Sequence, residues 1–312
     1  MTYDPADRYL YANTLLKFGS YGIAVVKTPC TLVKLIRLPS YGPFISAMVY
    51  DPLTEEVVAV SNEAFGSIHS YAYVLQGTSL VKTVDFGNRV HYSIAWDPGL
   101  AALLLAGYCN ANIDVLYLTE VNGVTRAAVM LNVFDQNNCP INVLVADKYA
   151  FVVRMPGANS NLNYVDVFDS RTLAYFGNFS ISAPGLIGSM TWDPLNQTVV
   201  VGLVYFYGLS APRTVFFLNV SSVATRTFTF HALPVHDILR YGAAALAYSP
   251  ADQRVYISSW GGDDVWILAS SGSFNHVYLK GALTHLFAMI YDSALGAMCV
   301  IGDSGDLYLI SP

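Results

Sequence analysis

The 312-residue chain is 54% hydrophobic and 13% aromatic, and only 12% of its residues are charged. So much apolar material excludes disorder, and a formal net charge of −6 excludes the basic footprint of a nucleic-acid-binding protein. The longest apolar runs, Val199 to Leu209 and Leu100 to Cys109, fall far short of the roughly 20 residues of a spanning helix, so no membrane insertion is expected.

Taken in chain order, an aromatic residue followed by Asp-Pro, or a degraded version of it, recurs along the sequence. The copies are Tyr3-Asp4-Pro5, Tyr50-Asp51-Pro52, Trp96-Asp97-Pro98, Ala146-Asp147-Lys148, Trp192-Asp193-Pro194, Tyr248-Ser249-Pro250 and Tyr291-Asp292-Ser293. Their spacings of 47, 46, 50, 46, 56 and 43 residues give a mean period of 48. A small-and-apolar segment such as Ile45 to Tyr50 precedes each internal copy. Asp-Pro then suits a turn, because Pro fixes φ and the Asp side chain accepts a local backbone N–H. A second apolar segment follows, as in Val57 to Val60. A third resembles Asp264 to Leu268, and a fourth resembles Arg226 to Phe230.

Four short strands in a period of this length describe a propeller blade. Radial stacking covers the inner strands on both faces, which accounts for the low charge. The expected fold is all-β: one seven-bladed β-propeller over residues 1–312 with four-stranded antiparallel blades. The blades are expected at 1–40, 41–88, 89–138, 139–183, 184–234, 235–281 and 282–312. The terminal ones are expected to be incomplete, since the first begins inside an inner strand and the last reaches only a third strand, Leu307 to Ile310. Met1 to Pro5 is already repeat sequence, and no secretory leader is expected in it.

The blade signature resembles that of the YVTN, quinoprotein-like and NHL-type propellers. Tyr164-Val165-Asp166-Val167-Phe168-Asp169 carries the best match to their third strand, and Arg254-Val255-Tyr256-Ile257-Ser258 a fair one to their second. The chain departs from the WD40 pattern, because Trp96-Asp97 and Trp192-Asp193 sit at the first turn of a unit without a recurrent Gly-His. The resemblance implies a propeller but no single activity, since binding modules and enzymes share the fold.

In such a fold the residues just before each Asp-Pro strand surround the mouth of the channel. They include His91, Tyr92, Asn142, Gly188, Gly242 and Phe287. This ring is largely neutral and lacks the convergent carboxylates or arginines of a metal or phosphate site. No cofactor or metal is expected. Tyr92, Asn142, Tyr241 and Phe287 are the candidate ligand contacts. His236, Asp237 and His285, with His91, are the candidate acid–base groups of a histidine-containing site.

Cys109 and Cys139 fall in loops expected at one face, so they are a candidate disulfide in an oxidising compartment. Asn178, Asn196 and Asn219 open Asn-X-Ser/Thr acceptors for glycosylation. The leading expectation is a non-enzymatic binding or structural module, extracellular or lumenal, whose partner is a protein or a glycan. It suits a homo-oligomer or larger assembly. A hydrolase or lyase at the channel mouth is the alternative.

Overall fold

The computed structural model describes residues 1–15, 21–27, 31–39, 43–63, 69–87, 90–108, 113–117, 126–130, 140–154, 162–183, 185–204, 214–234, 242–259, 262–269, 272–279, 286–302 and 306–311. Every sheet among them is an antiparallel meander of strands consecutive in sequence. The first holds β1 (Thr2–Asp4), β2 (Tyr9–Leu15), β3 (Tyr21–Lys27) and β4 (Thr31–Arg37). The second holds β5 (Pro43–Asp51), β6 (Glu56–Glu63), β7 (Ser70–Gln76) and β8 (Ser79–Asp85). The third holds β9 (Val90–Asp97), β10 (Ala102–Tyr108), β11 (Ile113–Tyr117) and β12 (Arg126–Met130). The fourth holds β13 (Pro140–Ala146), β14 (Tyr149–Arg154), β15 (Leu162–Asp169) and β16 (Tyr175–Ser182).

The fifth sheet comprises β17 (Leu186–Asp193), β18 (Thr198–Val204), β19 (Thr214–Asn219) and β20 (Phe230–Pro234), with a one-turn helix α1 (Ser221–Ala224) before its last strand. The sixth comprises β21 (Ala243–Ser249), β22 (Arg254–Ser259), β23 (Asp264–Leu268) and β24 (Phe274–Tyr278). The last has three strands only, β25 (Leu286–Asp292), β26 (Ala297–Gly302) and β27 (Leu307–Ile310). The expectation of seven blades with incomplete ends is therefore corrected: six sheets are four-stranded blades, the first among them complete, and only the last sheet, expected to reach a third strand, has three strands among the described residues. No helix among them is long and apolar enough to cross a membrane.

The chain divides into two compact units, Met1–Gly157 with Val167–Tyr175, and Ala158–Asp166 with Phe176–Pro312. In each, the apolar cores lie between consecutive sheets. In the first unit, Tyr11, Ile23 and Val25 pack against Val57, Ala59 and Tyr73 of the next blade. Val58, Val60 and Val74 pack in turn against Leu103 and Leu105, and Leu104 packs with Ala150 and Val152 of the fourth blade. In the second unit, Val200 and Val215 meet Leu246 and Ile257, and Tyr256 and Val265 meet Met289 and Val300. Both faces of a strand such as Val57–Val60 are buried, so unbroken apolar runs replace the alternation of a half-exposed strand.

The repeated Asp is a turn-capping device. Asp4 Oδ1 accepts the N–H groups of Ala6 and Asp7 at 2.9 and 3.3 Å. Asp97 Oδ1 accepts those of Gly99 and Leu100 at 2.8 and 3.3 Å, Asp193 those of Leu195 and Asn196, and Asp292 those of Ala294 and Leu295. Asp51 receives the Leu53 N–H at 2.9 Å. Four residues after each capping residue the backbone turns left-handed, at Arg8, Glu55, Ala101, Gln197 and Gly296, and after Ser249 at Gln253. The degraded fourth copy makes a shorter turn through Asp147 and Lys148, with φ of 55° at Asp147. The aromatic partner of the motif plays a separate part, since Tyr50, Trp96, Tyr248 and Tyr291 pack on the cores between sheets.

Candidate binding face

The starts of the inner strands share a feature that no residue pattern announced. In β5, β9, β13, β17, β21 and β25 the register with the second strand slips by one residue near the N-terminal end. The ladder skips Ser46, Tyr92, Ile141, Gly188, Ala244 and Phe287. A bulge bends its strand and re-aims a side chain, and here it does so at the positions marked in the sequence as strand entrances. Three of these bulges fall in each unit.

In the first unit the polar side chains beside the bulges bind the neighbouring blade. Ser46 Oγ donates to the His91 carbonyl at 2.8 Å. The His91 N–H donates to Asn62 Oδ1 at 2.9 Å, and its Nδ1 lies 2.7 Å from Ser70 Oγ. Phe86 contacts the imidazole edge-on at 4.6 Å between centroids. A serine hydroxyl at this distance from an imidazole has the spacing of a nucleophile and its base. However, Ser70 is fully buried and His91 is 1% exposed, so the pair is a packed crosslink. Gly107 lies opposite, and a Cβ there would stand 2.8 Å from the Val90 carbonyl. One blade on, Ser93 Oγ donates to Asn142 Oδ1 at 3.0 Å and accepts the Val143 N–H at 3.3 Å.

The second unit repeats the scheme. Asn163 Oδ1 accepts the Ile187 N–H at 3.3 Å, while its Nδ2 donates to the Gly185 carbonyl at 2.9 Å. Ser189 Oγ accepts the Leu246 N–H at 3.0 Å. Ser258 Oγ accepts the Ala245 N–H and donates to the Leu286 carbonyl at 3.1 and 3.2 Å. Each bond spans consecutive strands or blades, so the entrance residues are held rigidly. The signal available in the sequence was a serine within β5, β9 and β17, at Ser46, Ser93 and Ser189, which reads equally well as surface serine.

Of the candidate ligand contacts, Tyr92 sits on a bulge and is 40% exposed. Asn142 is half-buried and engaged by Ser93. Phe287 occupies the bulge of β25. His236, Asp237, Tyr241 and His285 lie outside the described residues, as do Cys109 and Cys139. The glycosylation acceptors Asn178, Asn196 and Asn219 are exposed. The Asn196 amide donates to Asp193 Oδ2 at 2.7 Å, and Asn219 Oδ1 accepts the N–H and hydroxyl of Ser221. Among the described residues no group of three or more His, Cys, Asp or Glu side chains is arranged to hold a metal ion.

A cleft of about 230 Å³ opens between the fifth and sixth blades, lined by Asp193, Asn196, Phe217, His231, Val255 and Leu268 among others. The His231 and Phe217 rings stack across β19 and β20, 4.8 Å apart and 8° from parallel.

No protein-family model matches this sequence, and no curated protein does. Solved structures do. The Cps50 (Swd1) β-propeller domain of Myceliophteria thermophila superposes with a TM-score of 0.72 at 12% identity, over 99% of this chain and 95% of that one. The hydrazine synthase of Kuenenia stuttgartiensis gives a TM-score of 0.74 at 14% identity, over 100% of this chain and 94% of that one. The fold is that of a β-propeller built from four-stranded antiparallel blades. At such identities the likeness concerns the fold alone.

Proposed function

We propose that this propeller is a non-enzymatic binding module that presents the starts of its inner strands to a protein or glycan partner. The observation that carries this reading is the division of labour at the bulges. Ser46, Ser93, Asn163, Ser189 and Ser258 are spent on neighbouring strands and blades, while Tyr92 turns outward. A rigidly mounted tyrosine offers apolar area and a polar tip at little entropic cost. The Tyr164 to Asp169 alternation supports a YVTN- or NHL-like type. Low charge and three exposed Asn-X-Ser/Thr acceptors support an extracellular or lumenal setting, within a larger assembly or a homo-oligomer.

The test is binding on a glycan array and to proteins cross-linked through a photoreactive residue at position 92. Tyr92→Ala is expected to weaken the partner found by about 2 kcal/mol, the scale of an interfacial hot spot. The exposed turn variant Leu195→Ala is expected to leave it unchanged. Turnover of a substrate that is lost on alanine replacement of His236 and His285 would overturn the reading.

A further inference from the structure

The cleft between the fifth and sixth blades lies at the far end of β17 from the bulge at Gly188, beside Asp193, the last residue of that strand. One side of it is apolar. Phe217 and Leu233 of the fifth blade pack with Val255 and Leu268 of the sixth, and His231 extends this wall by stacking on Phe217.

The aromatic pair sets the fifth blade apart. Counted from the capping residue, Val200, Phe217 and His231 pair across it. The first blade has Tyr11, Val25 and Lys34 in those places, and the second has Val58, Val74 and Lys82. The fifth blade thus carries rings where the first two carry valine and lysine, and no Lys or Arg is among the described residues that line the cleft.

The polar side is an array of acceptors. Asp193 is 7% exposed. Its Oδ1 takes two N–H groups of its own turn, and its Oδ2 takes the Asn196 side-chain amide at 2.7 Å. A carboxylate offers about four acceptor sites, so one at Oδ2 is left. Thr198 Oγ1 gives its only proton to the Asn196 carbonyl at 2.9 Å, which leaves that oxygen an acceptor as well. Asn196 Oδ1 supplies a third, since the amide nitrogen is turned to Asp193. Among the described residues no basic side chain forms an ion pair with Asp193. Its field reaches Tyr248, whose phenol is pushed above its ordinary value first by burial and next by the charges of Asp193 and Asp252.

We propose that this cleft binds a primary ammonium group carried on a short apolar body, as in an arylalkylamine. The three acceptors match the three N–H donors of an ammonium, and Asp193, held from water without a cation, gains one. Phe217 offers a ring to the cation and its apolar body. The volume of about 230 Å³ falls below the roughly 300–1,000 Å³ of a drug-sized site, so one ring and a short chain suit it. This binding role depends on neither Tyr92 nor the bulges, and it stands or falls apart from the proposed function.

The probe is 2-phenylethylammonium, titrated into the whole chain and followed by the backbone amide shifts of Thr198, Ala269 and Gly272. The control is 2-phenylethanol, which has nearly the same shape and no charge. The amine is expected to bind about tenfold more tightly than the alcohol, the scale of a charge-assisted hydrogen bond. Asp193→Asn keeps an acceptor for the turn N–H groups and is expected to cut that ratio to about twofold or less. The same change at another capping residue, Asp97→Asn, is expected to leave the ratio as it is. Should Asp193→Asn fail to fold, Phe217→Val, which installs the residue of the first two blades, is expected to weaken the amine about tenfold. Equal affinity for amine and alcohol, or shifts confined to other residues, overturns the proposal. So does a ratio that survives Asp193→Asn or falls equally with Asp97→Asn, or an amine affinity untouched by Phe217→Val. A methyl glycoside that binds here more tightly than the amine also overturns it, by making a sugar the occupant.

Discussion

A buried carboxylate beside a proline serves in this chain as a hydrogen-bond acceptor for its own turn. Asp97 is fully buried, and loss of water raises its pKa above the ordinary 3.8 despite the opposing bonds from Gly99 and Leu100. Asp4 shifts the same way for the same reason. Asp169, half-buried at the end of β15, shifts downward, chiefly because the Thr172 N–H and hydroxyl donate to it. The linkage signs therefore differ. Stability contributed through Asp97 is full below its unfolded pKa and declines as pH rises through its raised folded value. Stability contributed through Asp169 is present above the unfolded pKa and declines as pH falls through its lowered value. Carboxyl-carbon NMR titration is expected to place the Asp4 and Asp97 midpoints above 3.8 and that of Asp169 below it. Asp97→Ala is expected to lower unfolding free energy by about 1–3 kcal/mol, since it leaves turn N–H groups unsatisfied, as read by denaturant melts.

At the scale of strands, what was legible from sequence was local and what was hidden was cross-strand. Asp-Pro advertises its turn because both residues act within three positions of themselves, so the order of strands could be read directly. The bulges could not be, because a slipped register depends on which residue lies opposite. Nor could the roles of Ser189 and Asn163, whose partners are remote in sequence. The last blade reads as three strands in sequence and structure alike. Contact between blades is tight where side chains are small: a Cβ on Gly202 would stand 2.6 Å from that of Ala243. Gly202→Ala should therefore destabilise the fifth and sixth blades by about 1–3 kcal/mol through overpacking. Ser189→Ala, which leaves the Leu246 N–H without its acceptor, should cost about 1–3 kcal/mol. Thermal and denaturant unfolding of each variant checks both.

For the molecule as a whole, a surface with few charges leaves little electrostatic repulsion in reserve. The sequence isoelectric point is near 5.4, and proteins self-associate most readily where net charge vanishes. Turbidity of the purified chain should therefore peak near that pH and fall on either side. If the chain is produced in a glycosylating secretory host, peptide mapping should find sugar at Asn219 in preference to Asn196. The Asn196 amide is already committed to Asp193.

The slipped register at the heads of β5, β9, β13, β17, β21 and β25 also acts as a phase shifter. Side chains alternate faces with a period of two, so the supernumerary residue shifts by one the sequence positions that share a face upstream of it. Excising Gly188 alone would make the β17 ladder continuous and leave Ile187, now 2% exposed, opposite Leu203 and on the same side of its sheet. Deletion of the skipped residue alone should therefore spare the facing of the strand upstream, whereas removal of two adjacent residues would turn that strand over.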